Sequence, residues 1–173
     1  MTASALPGDQ AIVNLHVAVE PAVAFEVFTT EIDRWWRRGV KFRVAGRRPG
    51  ALQLEPHVGG RLFESYDTVA GPRLAEVGRV TVWEPPSRLV FIWRAANFVA
   101  GEHTEVEVRF DPIRRAGGDT ATSLTLIHRG WASIRPDHPA RHGDDVPTFI
   151  RNMGLWWGDL MTALREHLAT RTS

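Results

Sequence analysis

The chain has 173 residues, of which 43% are hydrophobic and 24% are charged, and these proportions fit one globular domain that buries its own core. It contains no cysteine, which excludes disulfides, thiolate metal ligands and cysteine nucleophiles. The formal net charge is +1, and no strand interleaves basic residues with stacking aromatics, while no apolar run reaches membrane-spanning length. We therefore expect a soluble, cytoplasmic protein that binds no nucleic acid and has no membrane span.

The first predicted elements are a strand and two short helices, which follow a flexible tail at residues 1–10. Apolar and polar side chains alternate over residues 11–19, the period of a half-buried strand. Pro21 fits the first turn of a helix, and apolar residues follow it at helical spacing. Thr30, three residues before Asp33, indicates a capped restart, so two short helices are predicted.

Six further strands follow a basic loop at residues 39–49 that is rich in glycine and proline. Turn-forming residues separate the strands. The predicted strands are residues 51–55, 61–68, 74–83, 88–94, 104–110 and 122–129. Because the links between them are short, the pattern favours an antiparallel meander.

The last predicted element is a helix over residues 148–169 with one apolar face. At about 100° per residue, its bulky apolar side chains fall on a single stripe. The stripe consists of Phe149, Met153, Trp156, Trp157, Leu160 and Leu164. Gly154 and Gly158 lie away from it, each at a cost of about 1 kcal/mol in helix propensity relative to alanine. The pattern predicts an α+β domain in which this stripe is buried. The two glycines would either allow a loop to pack closely against the helix or reflect neutral drift.

Several local motifs occur in a fixed order along the chain. They are Asp33-Arg34-Trp35, Gly59-Gly60-Arg61-Leu62, Gly78 with Val80, Glu84-Pro85-Pro86-Ser87-Arg88-Leu89-Val90-Phe91-Ile92-Trp93, and Leu124-Thr125-Leu126-Ile127-His128-Arg129-Gly130. Together they resemble the heat-shock chaperone ATPase activator-homologue (AHSA-like) family of the START-like, or SRPBCC, superfamily. The resemblance implies that residues 11–170 form a single START-like domain with the helix-grip fold. In that fold a curved antiparallel sheet wraps around a long C-terminal helix, with two short helices after the first strand.

The resemblance also implies an internal pocket between the sheet and the long helix. Strand alternation assigns one face of each strand to the interior. The candidate ligand-binding residues are Leu62, Glu64, Tyr66, Phe91, Trp93, Val106, Val108, Phe110, Leu126, His128, Met153, Trp156, Trp157 and Leu160. This aromatic inventory suits an apolar or aromatic ligand, although the same side chains would also pack as a solid core.

His128 is the most distinctive polar residue of the predicted interior, because it continues an apolar face. A buried histidine is more often a hydrogen-bonded core residue than a catalyst, and both roles stay open. Glu64 and Tyr66 share a face with Leu62 and would orient the polar end of a ligand if they point inward. Arg109 alternates out of phase with its neighbours, which predicts that it points outward.

Other chemistries have little support in the sequence. The serines lack the flanking glycines of a nucleophile elbow, and Gly59-Gly60 opens a strand instead of a phosphate-binding helix. His138 and His142 lie near acidic residues, but in a loop where nothing fixes tetrahedral geometry. We expect no metal, no cofactor and no assigned catalytic residue.

Three classes of function stay open, and the fold alone does not choose among them. The first is non-enzymatic binding of a small hydrophobic molecule. The second is a polyketide cyclase- or aromatase-like enzyme, which needs two or more polar residues converging in the pocket. The third is a co-chaperone-type module with a protein partner, for which Phe98 and Val99 offer an exposed patch in the loop that begins at Ala95 and ends at Gly101. The nearly apolar interior favours binding.

Overall fold

The structure, a computed structural model, describes residues 9–94, 98–135, 137–139 and 143–171. The strands are β1 (Gln10–Val17), β2 (Gly50–Leu54), β3 (Arg61–Thr68), β4 (Gly71–Glu84), β5 (Arg88–Trp93), β6 (Thr104–Arg114) and β7 (Thr120–Arg129). The α-helices are α1 (Pro21–Thr30), α2 (Ile32–Trp35) and α3 (Val146–Arg171). The predicted order of elements is confirmed. The flexible tail predicted for residues 1–10 lies outside the described residues, except for Asp9 and Gln10.

The strands form one antiparallel sheet in the order β1-β7-β6-β5-β4-β3-β2. β1 and β2 therefore occupy opposite edges, although no other strand separates them along the chain. The connection between them, which includes α1 and α2, crosses the concave face of the sheet, where Phe28 lies edge-on to Phe110 of β6 at 5.8 Å between ring centroids. The remaining strands return as a meander. This is the predicted α+β helix-grip arrangement.

α3 lies in the concave face and buries much of its predicted apolar stripe. Trp157, Leu160 and Leu164 are completely buried against the strands, and Met153 and Trp156 are half-buried nearer the start of the helix. Complete burial of one such side chain is worth about 1.5–3 kcal/mol. None of the described helices is long and apolar enough to cross a membrane.

The break between α1 and α2 has a different cause from the one predicted. The hydroxyl of Thr30 donates to the carbonyl of Glu26 at 2.7 Å, within its own helix, and no side chain caps α2. The capping prediction is therefore wrong, because a threonine hydroxyl at a helix end can satisfy a carbonyl of the preceding turn instead. The indole N–H of Trp35 holds the two helices together by donating to the carbonyl of Val27 at 3.2 Å.

Arginine side chains cover a buried acid on the outer face of the sheet. Glu107 has a side chain only 3% exposed and accepts hydrogen bonds from Arg129, Arg88 and Arg109. Burial acts to raise the pKa of Glu107, but the hydrogen bonds from Arg129, Arg88 and Arg109 outweigh it and lower this pKa to about 2. Arg109 therefore points outward.

Leu160→Ala should lower the free energy of unfolding by about 2–5 kcal/mol, because it opens a cavity between α3 and the sheet. Leu155→Ala, the same substitution on the same helix at a side chain 66% exposed, should change it by no more than about 0.5 kcal/mol. Urea unfolding monitored by circular dichroism measures both. Equal losses in the two variants would contradict the packing of α3 described here.

Gly154→Ala and Gly158→Ala should each raise the free energy of unfolding by about 0.5–1 kcal/mol. A Cβ at either position would contact nothing, so the gain in helix propensity is not offset by a clash. Gly60→Ala is the contrasting substitution, because its Cβ would lie 2.2 Å from the carbonyl oxygen of Glu55 and should destabilise the protein. Thermal unfolding of the three variants tests this, and destabilisation by the helix substitutions would refute it.

Candidate ligand-binding site

A cavity of about 830 Å³ lies between the first half of α3, the loop after α2 and the β2–β5 part of the sheet. This volume is within the range of about 300–1,000 Å³ that small-molecule sites occupy. Its aromatic wall consists of Trp36, Phe42, Trp93, Trp131, Phe149 and Trp156. Val40 and Leu155, which are 82% and 66% exposed, also line it, so its mouth opens to solvent between the loop and α3.

The tryptophans of the wall contact one another. Trp36 stacks on Trp93 with 6.3 Å between ring centroids, and Trp156 lies edge-on to both at 5.8 and 6.0 Å. Offset and edge-on aromatic pairs contribute about 0.5–1.5 kcal/mol beyond the area they bury. The indole N–H of Trp156 also donates to the carbonyl of Lys41 at 2.9 Å, and this bond ties α3 to the loop.

An ion pair between the buried Arg43 and the half-buried Asp33 holds the loop of residues 39–49 against α2. The guanidinium of Arg43 donates to Asp33 Oδ1 at 2.6 Å and to the backbone carbonyls of Asp33, Trp36 and Arg37. Asp33 Oδ1 also accepts the backbone N–H of Leu52 in β2 at 2.8 Å. Burial acts to raise the pKa of Asp33, but hydrogen bonds from Leu52 and Arg43 hold it below its ordinary value.

Glu64 joins the same loop to the sheet from inside the cavity. It is 4% exposed, its Oε2 accepts the N–H of Val44 at 2.7 Å and its Oε1 accepts the N–H of Ala45 at 3.1 Å. Within the described part of the chain, no arginine, lysine or histidine forms an ion pair with it. The inward orientation considered for Glu64 is therefore the one the structure has, and these two hydrogen bonds both come from backbone N–H groups of the loop.

His128 lies behind the aromatic wall and is completely buried. The indole N–H of Trp157, which can only donate, binds His128 Nδ1 at 3.0 Å. Nε2 therefore carries the proton and donates to Thr104 Oγ1 at 2.7 Å. Burial lowers the pKa of His128 to about 3, which keeps the ring neutral. Both nitrogens are occupied, and His128 lies behind Trp93 and Trp131 instead of lining the cavity.

Comparison with known proteins identifies a family for this chain. Residues 18–168 match the family described as Activator of Hsp90 ATPase homolog 1-like protein. The chain belongs to this family. The resemblance seen in the sequence motifs is thereby confirmed. None of the curated proteins compared with the chain matches it.

Solved structures share the fold of this family member over nearly its whole length. A protein from Rhodobacter sphaeroides is 21% identical, with 94% of each chain covered and a TM-score of 0.61. A protein from Nitrosomonas europaea is 14% identical, with 98% of this chain and 99% of that chain covered and a TM-score of 0.59. DynU16, a protein of the dynemicin biosynthetic locus, is 23% identical, with 94% of this chain and 48% of DynU16 covered and a TM-score of 0.54. At these identities the likeness shows the fold.

The structure divides the candidate ligand-binding residues into two groups. The cavity is lined by Leu62, Glu64, Trp93, Met153 and Trp156. The core beneath it contains Phe91, Val106, Val108, Phe110, Leu126, His128, Trp157 and Leu160. Tyr66 lies outside both groups, with the guanidinium of Arg48 6.0 Å from its ring. Alternation identifies the inner face of a strand, but not which part of that face α3 and α1 cover.

Sequence reasoning missed the wall that the loop contributes. Trp36, Phe42 and Val44 line the cavity, as does Trp131 just after β7. The signal was present, because Trp36 follows Trp35 directly and Phe42 and Val44 are apolar side chains in an otherwise basic loop. In a fully solvated loop these apolar side chains would be exposed to water, so their presence indicates that the loop packs against an apolar surface.

The exposed patch predicted around Phe98 is not there. Phe98 is only 8% exposed, because it packs with Trp131, Ile134 and Phe149 in a second apolar cluster. Val99 is 54% exposed, and residues 95–97 lie outside the described part of the chain. One exposed valine is ordinary protein surface.

The histidines of the loop before α3 give no metal site in the residues described. His138 is buried, and its Nε2 lies 2.7 Å from Glu102 Oε2. No group of three acidic or histidine side chains in the described ranges has the spacing to hold a metal ion. His142 is outside those ranges.

His128→Phe should flatten the acid dependence of stability. The unfolded chain binds a proton at histidine below about pH 6.5, whereas folded His128 stays neutral to about pH 3, so its stabilising contribution is complete above pH 6.5 and is lost as pH falls toward 3. The expected slope is at most about 1.4 kcal/mol per pH unit. Urea unfolding at pH 7, 6 and 5 should show it in the parent and in the exposed control His16→Phe, but not in His128→Phe. Equal slopes in all three proteins would contradict the buried neutral ring.

Proposed function

We propose that this family member binds a small hydrophobic or aromatic molecule in the cavity and performs no chemistry on it. The observation that carries the proposal is a cavity of about 830 Å³ whose lining is mostly apolar, with six aromatic side chains, and whose mouth carries exposed apolar side chains. Each Å² of apolar surface that a ligand covers there contributes roughly 25 cal/mol.

Specific contacts hold the wall of the cavity in place, which distinguishes the cavity from a gap left by poor packing. The loop that closes it is fixed by Arg43 with Asp33, by Glu64, and by the bond from Trp156 to Lys41. Because these contacts are polar and directional, the loop cannot slide into the cavity without breaking them. A site formed in advance loses less conformational entropy when a ligand binds.

A second proposal, a polyketide cyclase-like enzyme, is supported by the similarity to DynU16 from the dynemicin locus. Such chemistry needs several polar groups that converge on one point. Of the polar lining residues, Lys41 and Asn152 are exposed near the mouth, and Asp144 accepts a hydrogen bond from Asn152. Arg43 is engaged with Asp33, and Glu64 already accepts two backbone hydrogen bonds. The lining thus favours binding over catalysis. A co-chaperone role has less support, since Phe98 is buried.

Trp156→Ala should weaken the binding of an apolar aromatic ligand by about tenfold, since a buried aromatic anchor contributes on the order of 1–2 kcal/mol or more. Isothermal titration calorimetry with neutral naphthalenes, anthraquinones and medium-chain alcohols measures it. Trp83→Ala is the matched control, because Trp83 packs on Phe25 and does not line the cavity. The proposal fails if no compound of the panel binds, or if both variants lose affinity equally.

A further inference from the structure

We infer that the ligand of this cavity carries a protonated amine, and that Glu64 binds that amine. The inference rests on the proposed function, since it names the chemical class of the same ligand. It begins from the charge of Glu64, which faces an apolar cavity and has no counter-ion in the described chain.

A buried carboxylate is costly unless it is paired or fully hydrogen-bonded. Glu64 accepts one backbone N–H at each oxygen, from Val44 and Ala45, yet two carboxylate oxygens offer about four acceptor positions. Because Glu64 also lines the cavity, a donor on a ligand can reach the positions that remain. A cationic donor gains most there, since charge-assisted hydrogen bonds are roughly twice as strong as neutral ones.

The two cations that line the cavity do not compensate Glu64, because each has its own acid. Arg43 is bound to Asp33 at 2.6 Å, and Lys41 Nζ lies 2.9 Å from Asp159 Oδ2 on α3. Asp144 is a second acid in the lining, and it accepts a hydrogen bond from the amide of Asn152. Both lining cations are therefore engaged with acids outside the lining, whereas Glu64 has no cationic partner in the described chain, and an unpaired carboxylate attracts a cation and repels an anion.

The aromatic wall favours the same charge. Trp36, Trp93 and Trp156 line the cavity together with Glu64, and the faces of indole rings attract cations through their quadrupole. A protonated amine on an aromatic or aliphatic body would place its charge at Glu64, and its apolar body would cover the apolar side chains of the lining. A carboxylate-bearing ligand would place like charges together in a site of low dielectric.

Ligands matched in shape and different in charge test this on the parent protein. The probes are 2-naphthylmethylamine, 2-naphthylmethanol and 2-naphthoate, titrated by calorimetry at pH 7, where the amine is protonated. The amine should bind about tenfold more tightly than the alcohol, and the carboxylate should bind most weakly. Equal binding of amine and alcohol, or tighter binding of the carboxylate, would overturn the inference and leave the proposed function standing. If none of the three probes binds, both the inference and the proposed function are contradicted.

Two variants test which acid of the lining causes the preference for the amine over the alcohol. Glu64→Gln keeps the volume of the side chain and removes its charge, so in this variant the amine should bind no more than about twofold more tightly than the alcohol. Asp144→Asn removes the same charge at the other acid and should retain most of the amine preference. If Glu64→Gln retains the full preference, Glu64 only anchors the loop and the inference is wrong. If Glu64→Gln fails to fold, the comparison of the three probes on the parent protein still decides.

Discussion

Two acids, the half-buried Asp33 and the buried Glu64, fix the loop of residues 39–49, and the cavity depends on that fixation. Asp33 takes the guanidinium of Arg43 and the N–H of Leu52, so it connects α2, the loop and β2 through one carboxylate. Glu64 takes two consecutive backbone N–H groups of the loop from the side of the sheet. Without these bonds the loop would carry unsatisfied polar groups at the edge of an apolar interior, which is costly.

The long helix performs two different tasks along its length. Its second half is held by completely buried side chains such as Leu160 and Leu164, which fix its position against the sheet. Its first half turns Met153 and Trp156 toward the cavity and is joined to the loop by the bond from Trp156. Trp157 and His128 lie at the transition, where their mutual hydrogen bond joins α3 to β7. The packed half thus holds the open half in place.

Membership of the family establishes the scaffold, and the lining of the cavity decides what the scaffold does in this chain. A ring of tryptophans would suit almost any apolar compound, because dispersion and the hydrophobic effect have no direction. Selectivity has to come from the few polar atoms that remain accessible. In the described residues the most buried of these lining groups without a counter-ion is Glu64, so its charge is the feature on which discrimination among ligands depends.

The sequence by itself determined the order of elements, the antiparallel meander and the inner face of each strand, because period-2 and helical patterns are local consequences of side-chain direction. It also placed Trp93 and Trp156 in the interior, and it left the direction of Glu64 open. Only the tertiary structure decided that Trp157 and His128 pack solidly while Trp156 lines a cavity, since neighbours on one helix face differ in what the fold sets against them. It alone assigned Arg43 to Asp33 and Glu64 to the loop, because both are contacts between segments that are separate along the chain and no pattern within one segment specifies the partner in another.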